Sequence, residues 1–126
     1  MIIGLGCDLM DVARIEKALE RARFAERCFT PRERERISAR GAQTAAGYFA
    51  AKEAVAKALG TGFTGFSLQD ISIENDQLGK PACRLSGGAL ERLRALGGAR
   101  VWVSISHAGG IAMAVAVAES EIPLES

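Results

Sequence analysis

Two carboxylates and a lysine are the residues of this chain best suited to chemistry. Glu53 and Lys57 stand four apart in the Ala-rich stretch from Tyr48 to Gly62, so on a helix they share a face. One reading is a solvated Glu-to-Lys pair, worth roughly 0.2–0.5 kcal/mol. The other is a carboxylate that binds a cation beside an ammonium that faces an anion, an arrangement suited to a magnesium phosphate ester. Few other polar residues flank the pair, so the usual solvated strip is lacking. Asp8 is the second carboxylate. Asp11 is better placed to cap a helix that buries Val12, Ile15 and Leu19, which leaves Asp8 with less structural work. His107, the single histidine, ends Val103-Ser-Ile-Ser-His107 and reads either as a turn or edge residue or as a ligand contact. Ser104 and Ser106 lie on the strand face opposite Val103 and Ile105. No Gly-x-Ser-x-Gly elbow and no following Asp complete a Ser-His-Asp relay, which counts against hydrolysis at Ser106.

The elements that position these residues follow from periodicity. Residues 1–9 alternate as a strand, with Ile3, Leu5, Cys7 and Leu9 on one face and Gly4, Gly6 and Asp8 on the other. Glycine inside a strand often marks a close approach, so a helix or ligand is expected on that bare face. A helix from Val12 to about Arg23 should come next. Thr30-Pro31-Arg32-Glu33 is a capping box with Pro at the first helical position, which starts a short helix to about Ala39, closed by Gly41. The central helix should begin near Thr44 and run to Leu59, with Gly60 as its stop, and it is apolar nearly all round. Ile71 and Ile73 mark a strand, residues 75–81 a turn, and residues 82–85 the returning strand. A short helix carries Leu90, Leu93 and Leu96 to Gly97-Gly98. Strands at 100–107 and 111–119 form a second hairpin, whose last strand carries Ala112, Ala114, Ala116 and Ala118 on one face. The class is α+β, with about five antiparallel strands packed on the long central helix.

At 126 residues, with 48% hydrophobic and 25% charged side chains, the chain reads as one soluble domain over 1–126. The apolar run from Ala108 to Ala118 is too short to span a bilayer, and a basic-then-apolar leader is missing, so no membrane association is expected and the cytoplasm is the expected location. Cys7, Cys28 and Cys83 lack CxxC spacing, which counts against a disulfide framework and a zinc site. Net charge is +1, yet nine of the sixteen basic residues fall between Arg14 and Arg40 against five acids. That basic third is either a solvated, Glu-laced helix face or a dock for an acidic partner. Nucleic acid is disfavoured, because glutamates balance the arginines and few aromatics interleave.

These residues fall into an ordered set: Gly4-Leu-Gly-Cys-Asp8 with Arg14-Ile15, Phe29-Thr30 with Glu33, Phe49-Ala-Ala-Lys52-Glu53-Ala-Val-Ala-Lys57-Ala, Gly79-Lys80-Pro81, and Ser104-Ile-Ser106-His107. Together they resemble the holo-acyl-carrier-protein synthases, the small type of 4'-phosphopantetheinyl transferase, along nearly the whole chain. The resemblance implies that family's fold. It implies transfer of the 4'-phosphopantetheine arm of coenzyme A to a serine of an apo acyl carrier protein, releasing adenosine 3',5'-bisphosphate, in fatty acid biosynthesis or polyketide synthesis. It further implies a magnesium ion held by Asp8 and Glu53 against the pyrophosphate, with Lys57 and Gly60 at the same phosphates. Ser106 and His107 would lie near the nucleotide, Lys80 and Pro81 on its adenine side, and Arg14 and Arg21 against the carrier protein. A homotrimer with active sites between subunits is implied as well. One position departs from the pattern. Members commonly carry Arg before the aromatic residue of the central block, where this chain has Tyr48; if that arginine contacts a phosphate, the charge must come from elsewhere. A coenzyme A-binding module without turnover, and a basic adaptor for an acidic protein, are the competing readings; neither needs both carboxylates beside an anion.

Overall fold

The computed structural model describes residues 1–121. Its elements are β1 (Ile2–Asp11), α1 (Val12–Ala18), α2 (Ala22–Cys28), α3 (Pro31–Arg40), α4 (Ala42–Ala58), a 3-10 turn (Leu68–Asp70), β2 (Ile71–Asn75), β3 (Pro81–Leu85), α5 (Gly87–Ala95), β4 (Arg100–Ala108) and β5 (Ile111–Glu119). The five strands are antiparallel, as expected, and divide into a three-stranded sheet in the order β1-β5-β4 and a β2-β3 hairpin. The turn between β4 and β5 is Gly109-Gly110, both at positive φ, the backbone that a two-residue hairpin requires.

The core forms where α4 lies on the three-stranded sheet. Alternation along β5 turns Ala112, Ala114, Ala116 and Ala118 inward, all fully buried. On β1 the inward positions are Gly4 and Gly6, and a Cβ built there would come within 2.0 Å of the Ala58 and Ala54 carbonyl oxygens respectively. The bare strip is therefore occupied by the helix backbone itself, and any side chain would force α4 away. The alanine face of β5 serves the same internal contact. Small residues on both sides let α4 sit close, and in return most of α4 is buried, from Ala45 to Ala58.

The first helix departs from expectation. In place of one helix to Arg23 there are two, separated by an extended Arg21 (φ −98°, ψ 115°). On a continuous helix Phe24 would sit about 180° from Ile15 at 100° per residue and face water. The break re-phases the chain so that Phe24 stacks on Phe49 of α4 and meets Phe29 edge-on, at ring separations of 5.9 and 6.0 Å. The capping box is formed as predicted: Thr30 Oγ1 accepts from the Glu33 N–H and Glu33 returns a bond to the Thr30 N–H.

Sheet alternation also creates an apolar outer face. In register across the three strands run the rows Leu5–Val117–Trp102, Cys7–Val115–Ser104 and Leu9–Met113–Ser106. Leu5 is 67% exposed, Leu9 65% and Trp102 52%. At the head of β1 a register shift between Ile2 and Gly4 sends Ile3 to the core instead.

Candidate active site

Asp8, Glu53 and Lys57 come together on one side of α4. Lys57 Nζ lies 3.1 Å from Asp8 Oδ1 and donates to the Cys7 carbonyl at 3.0 Å. The Glu53 carboxyl is pushed above its ordinary value by burial and then by the neighbouring Asp8 carboxylate, while Lys57 opposes both. Two carboxylates thus crowd each other where water is partly excluded, a charge arrangement that a divalent cation relieves. Among the described residues no group of three or more His, Cys, Asp or Glu gathers anywhere, so the donor set is these two oxygen ligands. Such a pair fits magnesium, which takes hard oxygens and keeps several waters. Gly60, one turn beyond Lys57, takes φ +81° and closes α4.

Beside the acid pair runs a groove of about 620 Å³ between α1, α2 and α4. Its placement follows from periodicity: Met10 is two residues beyond Asp8 on β1, and Phe49 is one helical turn before Glu53. Its apolar lining is Met10, Ile15, Phe24 and Phe49, and its charged lining is Arg14, Lys17 and Arg21 with one acid, Glu20. Sequence reading picked out the two arginines and missed the aromatic floor, since Phe24 and Phe49 meet only after the chain turns at Arg21.

His107 lies elsewhere. It shares the inward face of β4 with Val103 and Ile105, and its Nε2 is 2.8 Å from the Gln43 carbonyl oxygen. The ring rests over Gly47, where a Cβ would come within 3.1 Å of it. A cleft of about 190 Å³ opens here, bounded by Arg36 and Arg40 of α3, Tyr48 of α4, Gly79 of the β2–β3 turn and Pro81 at the start of β3. Lys80 follows that turn into a neighbouring groove shared with Pro81 and Trp102. Ser106 does not join His107: adjacent strand residues point to opposite faces, and Ser106 is on the outer face, in the row with Met113 and Leu9.

The acid pair and the His107 cleft occupy different sides of α4. From Gly47 to Glu53 is about 9 Å along the helix and about 120° around it. No residue of the acid pair lines the cleft.

On an α4 that is apolar nearly all round, Glu53 and Lys57 are the charges expected to be costly to bury. The structure makes Lys52 and Glu33 the buried ones, 0% and 1% exposed, joined at 2.7 Å. Lys52 also donates to the Leu68 and Ile71 carbonyls at 2.9 and 2.6 Å, and Glu33 accepts from the Ile73 N–H at 2.7 Å. No local pattern shows this pair, whose partners lie on different helices. Arg36 and Arg40 also line the cleft, and the signal for them in the sequence is two like charges four apart on a helix, a spacing that costs stability.

The comparisons with known proteins agree with this architecture. The model of the 4'-phosphopantetheinyl transferase superfamily matches residues 4–116, and the chain belongs to that family. Within it, the relatives are holo-[acyl-carrier-protein] synthases. That of Clostridium tetani is 43% identical over 125 residues, covering 96% of this chain and 98% of its own. That of Solidesulfovibrio magneticus is 48% identical over 122 residues, covering 94% and 99%. Among solved structures, the Helicobacter pylori holo-[acyl-carrier-protein] synthase in complex with coenzyme A superposes with a TM-score of 0.81 at 35% identity, covering 91% of this chain and 99% of that one. The Bacillus anthracis synthase, in complex with CoA (3',5'-ADP), gives 0.80 at 38% identity, covering 96% and 99%.

Proposed function

We propose that this chain is a holo-acyl-carrier-protein synthase, working as a single domain over 1–126, that moves the 4'-phosphopantetheine arm of coenzyme A onto a serine of an apo acyl carrier protein. The observation that carries the reading is the Asp8–Glu53–Lys57 cluster, which lies two residues along β1 and one turn along α4 from a mainly basic groove lined by Phe24 and Phe49. The carrier protein docks in that groove, its acidic surface against Arg14 and Arg21 and its apolar side chains on Phe24 and Phe49. This brings the serine to the carboxylates. The serine oxygen forms a bond to the phosphorus that bears the pantetheine arm, and the pyrophosphate P–O bond breaks. Adenosine 3',5'-bisphosphate leaves. Lys57 holds a fixed positive charge at the phosphates as negative charge builds on the leaving group. The serine must lose its proton; Asp8 is already engaged by Lys57, so Glu53 has the freer oxygen to receive it. Magnesium, held by Asp8 and Glu53, would supply further charge neutralisation at the pyrophosphate.

The nucleotide end of coenzyme A belongs in the His107 cleft, with Lys80 and Pro81 at its adenine side. Because one chain carries the two halves on different sides of α4, the working site lies between subunits. The outer face of the sheet, with Leu5, Leu9, Trp102 and Met113, is the surface by which chains associate as a homotrimer. An apolar face of this extent is unusual on a monomer. Among the described residues no helix is long and apolar enough to cross a membrane, and we place the enzyme in the cytoplasm.

The test is intact-mass spectrometry of an apo acyl carrier protein incubated with this protein and coenzyme A, with magnesium and with excess chelator. A gain of one phosphopantetheine arm that chelation removes is the expected result. Glu53→Gln should remain folded and lose activity by at least about 100-fold, the scale on which a group that stabilises the transition state is felt. A folded Glu53→Gln variant with near-normal turnover would take Glu53 out of the site.

A further inference from the structure

The β2–β3 hairpin is fastened to the rest of the chain through only one of its strands. On β2, the Ile71 carbonyl accepts from Lys52 and the Ile73 N–H donates to Glu33, while Asn75 accepts from the Tyr48 hydroxyl. Among the described residues, the hydrogen bonds of β3 all return to β2. β3 and β4 are sheet edges with no ladder between them, and a groove of about 390 Å³ opens along their seam. Unpaired strand edges invite a further chain segment.

Trp102, 52% exposed, is the largest apolar group of this groove. Lys80 and Arg100 are its bases and Asp76 its one acid. Asp76 is already engaged, since its Oδ1 accepts from the Leu78 and Lys80 N–H groups, each at 2.9 Å. Arg100 holds Glu119 at 2.9 Å and Glu121 at 3.4 Å, and Lys80 has no ion-pair partner among the described residues. Glu121 is the last described residue, so the chain arrives at the groove's own arginine with Ile122-Pro-Leu-Glu-Ser126 still to follow.

We propose, independently of the reaction the chain catalyses, that the segment Ile122–Ser126 docks in the groove between β3 and β4 of its own chain and straps the hairpin to the main sheet. Five extended residues reach up to about 17 Å, and the β4 side of the groove, from Arg100 to Val103, is about 10 Å long at the rise of a strand. Alternation in an extended segment puts Ile122 and Leu124 on one side, against Trp102, and Glu121 and Glu125 on the other, toward Arg100 and Lys80. Two acids thus meet the two bases of the groove. Pro123 lacks an N–H, which suits a segment laid along an edge and not one paired on both sides. Pro81 borders both this groove and the His107 cleft, so the strap also fixes one wall of that cleft.

Trp102 is the single tryptophan, so its fluorescence reads the groove directly. In the full-length protein, Ile122→Asp/Leu124→Asp should shift its emission to the red and open it to acrylamide quenching. Hydrogen exchange at the β3 amides should quicken in the same variant by about 10-fold or more, the scale of one lost buried leucine. Glu125→Lys should move the emission part of the way, and Lys80→Glu added to it should move it back, because the pair is then restored with its charges exchanged. The same measurements in a Leu5→Glu background separate the chain's own segment from a neighbouring chain on the outer face of the sheet, and the shift should persist there. A shift that vanishes in that background assigns the groove to a neighbour and overturns the proposal. Unchanged emission or unchanged β3 exchange in Ile122→Asp/Leu124→Asp overturns it as well.

Discussion

Replacing Lys52 by Met tests whether the buried ion pair holds the fold together. Lys52 Nζ spends its three protons on Glu33 at 2.7 Å, Ile71 O at 2.6 Å and Leu68 O at 2.9 Å. Methionine matches the stem and supplies none of these. Glu33 would keep its two backbone donors, the Thr30 and Ile73 N–H groups, but lose its countercharge in a site closed to water. Breaking such a pair from one side costs about 3–5 kcal/mol, a large share of the about 5–15 kcal/mol by which ordinary domains are stable. Urea unfolding at fixed protein concentration should show that loss for Lys52→Met. The double variant Lys52→Met/Glu33→Leu should lose less than the sum of the single changes, by about 1–3 kcal/mol. A cost below about 1 kcal/mol for Lys52→Met would refute the reasoning. The alkaline limb gives a second check. Burial lowers the Lys52 pKa from 10.5 despite Glu33, so between the folded pKa and 10.5 the unfolded chain binds more protons, and this group's contribution rises with pH. Cys83 works in the opposite direction: burial pushes its thiol from 9.0 up to about 12. The folded chain keeps a proton that the unfolded chain has released, and stability falls over that range. The alkaline fall should therefore be steeper in Lys52→Met and shallower in Cys83→Ala than in the wild type.

The docking groove and the outer face make further predictions. Arg14→Glu, and more strongly Arg14→Glu/Arg21→Glu, should raise KM for the carrier protein about 10-fold or more, with a weaker dependence on salt, and leave coenzyme A binding unchanged; equal loss for both ligands in calorimetry would contradict the docking assignment. Leu5→Glu or Met113→Glu places a charge in the apolar face of the sheet, where the isolated chain tolerates it. On the proposed trimer, light scattering should then show monomers, with transfer lost because the two half-sites would no longer meet. A monomeric variant with full activity would place the whole site in one chain.

Glycine substitution in β1 marks where side-chain chemistry gives way to backbone contact. With Ala54 O in the space a Cβ at Gly6 would need, the strand cannot carry even an alanine without shifting α4. Asp8 is next on the same face, so the close approach that the glycines permit is also what brings Asp8 to Glu53 and Lys57. The same strand leaves its other face, Leu5 and Leu9 included, exposed in the single chain, and one alternating stretch thereby supplies both a core contact and the apolar surface proposed for association.

Elements whose determinants are local were legible in the sequence. The Thr30–Glu33 capping box, the Gly60 stop, the two hairpins and the buried character of α4 each depend on residues within a turn or two of one another, where propensity, capping and periodicity act directly. The pairing of Asp8 with Glu53 and Lys57 was legible only through the resemblance that the ordered motifs carry; the bare strand by itself pointed no further than to a helix or ligand lying on that face. Tertiary structure alone decided the rest. The helix break at Arg21 follows from Phe24 reaching Phe49. Lys52 and Glu33 are buried because distant carbonyls and N–H groups complete their bonds. Ser106 parts from His107 because a strand alternates, and the cleft of Arg36, Arg40 and His107 exists only once α3, α4 and β4 converge. These depend on contacts between residues far apart in the chain, whose burial and orientation no local pattern encodes.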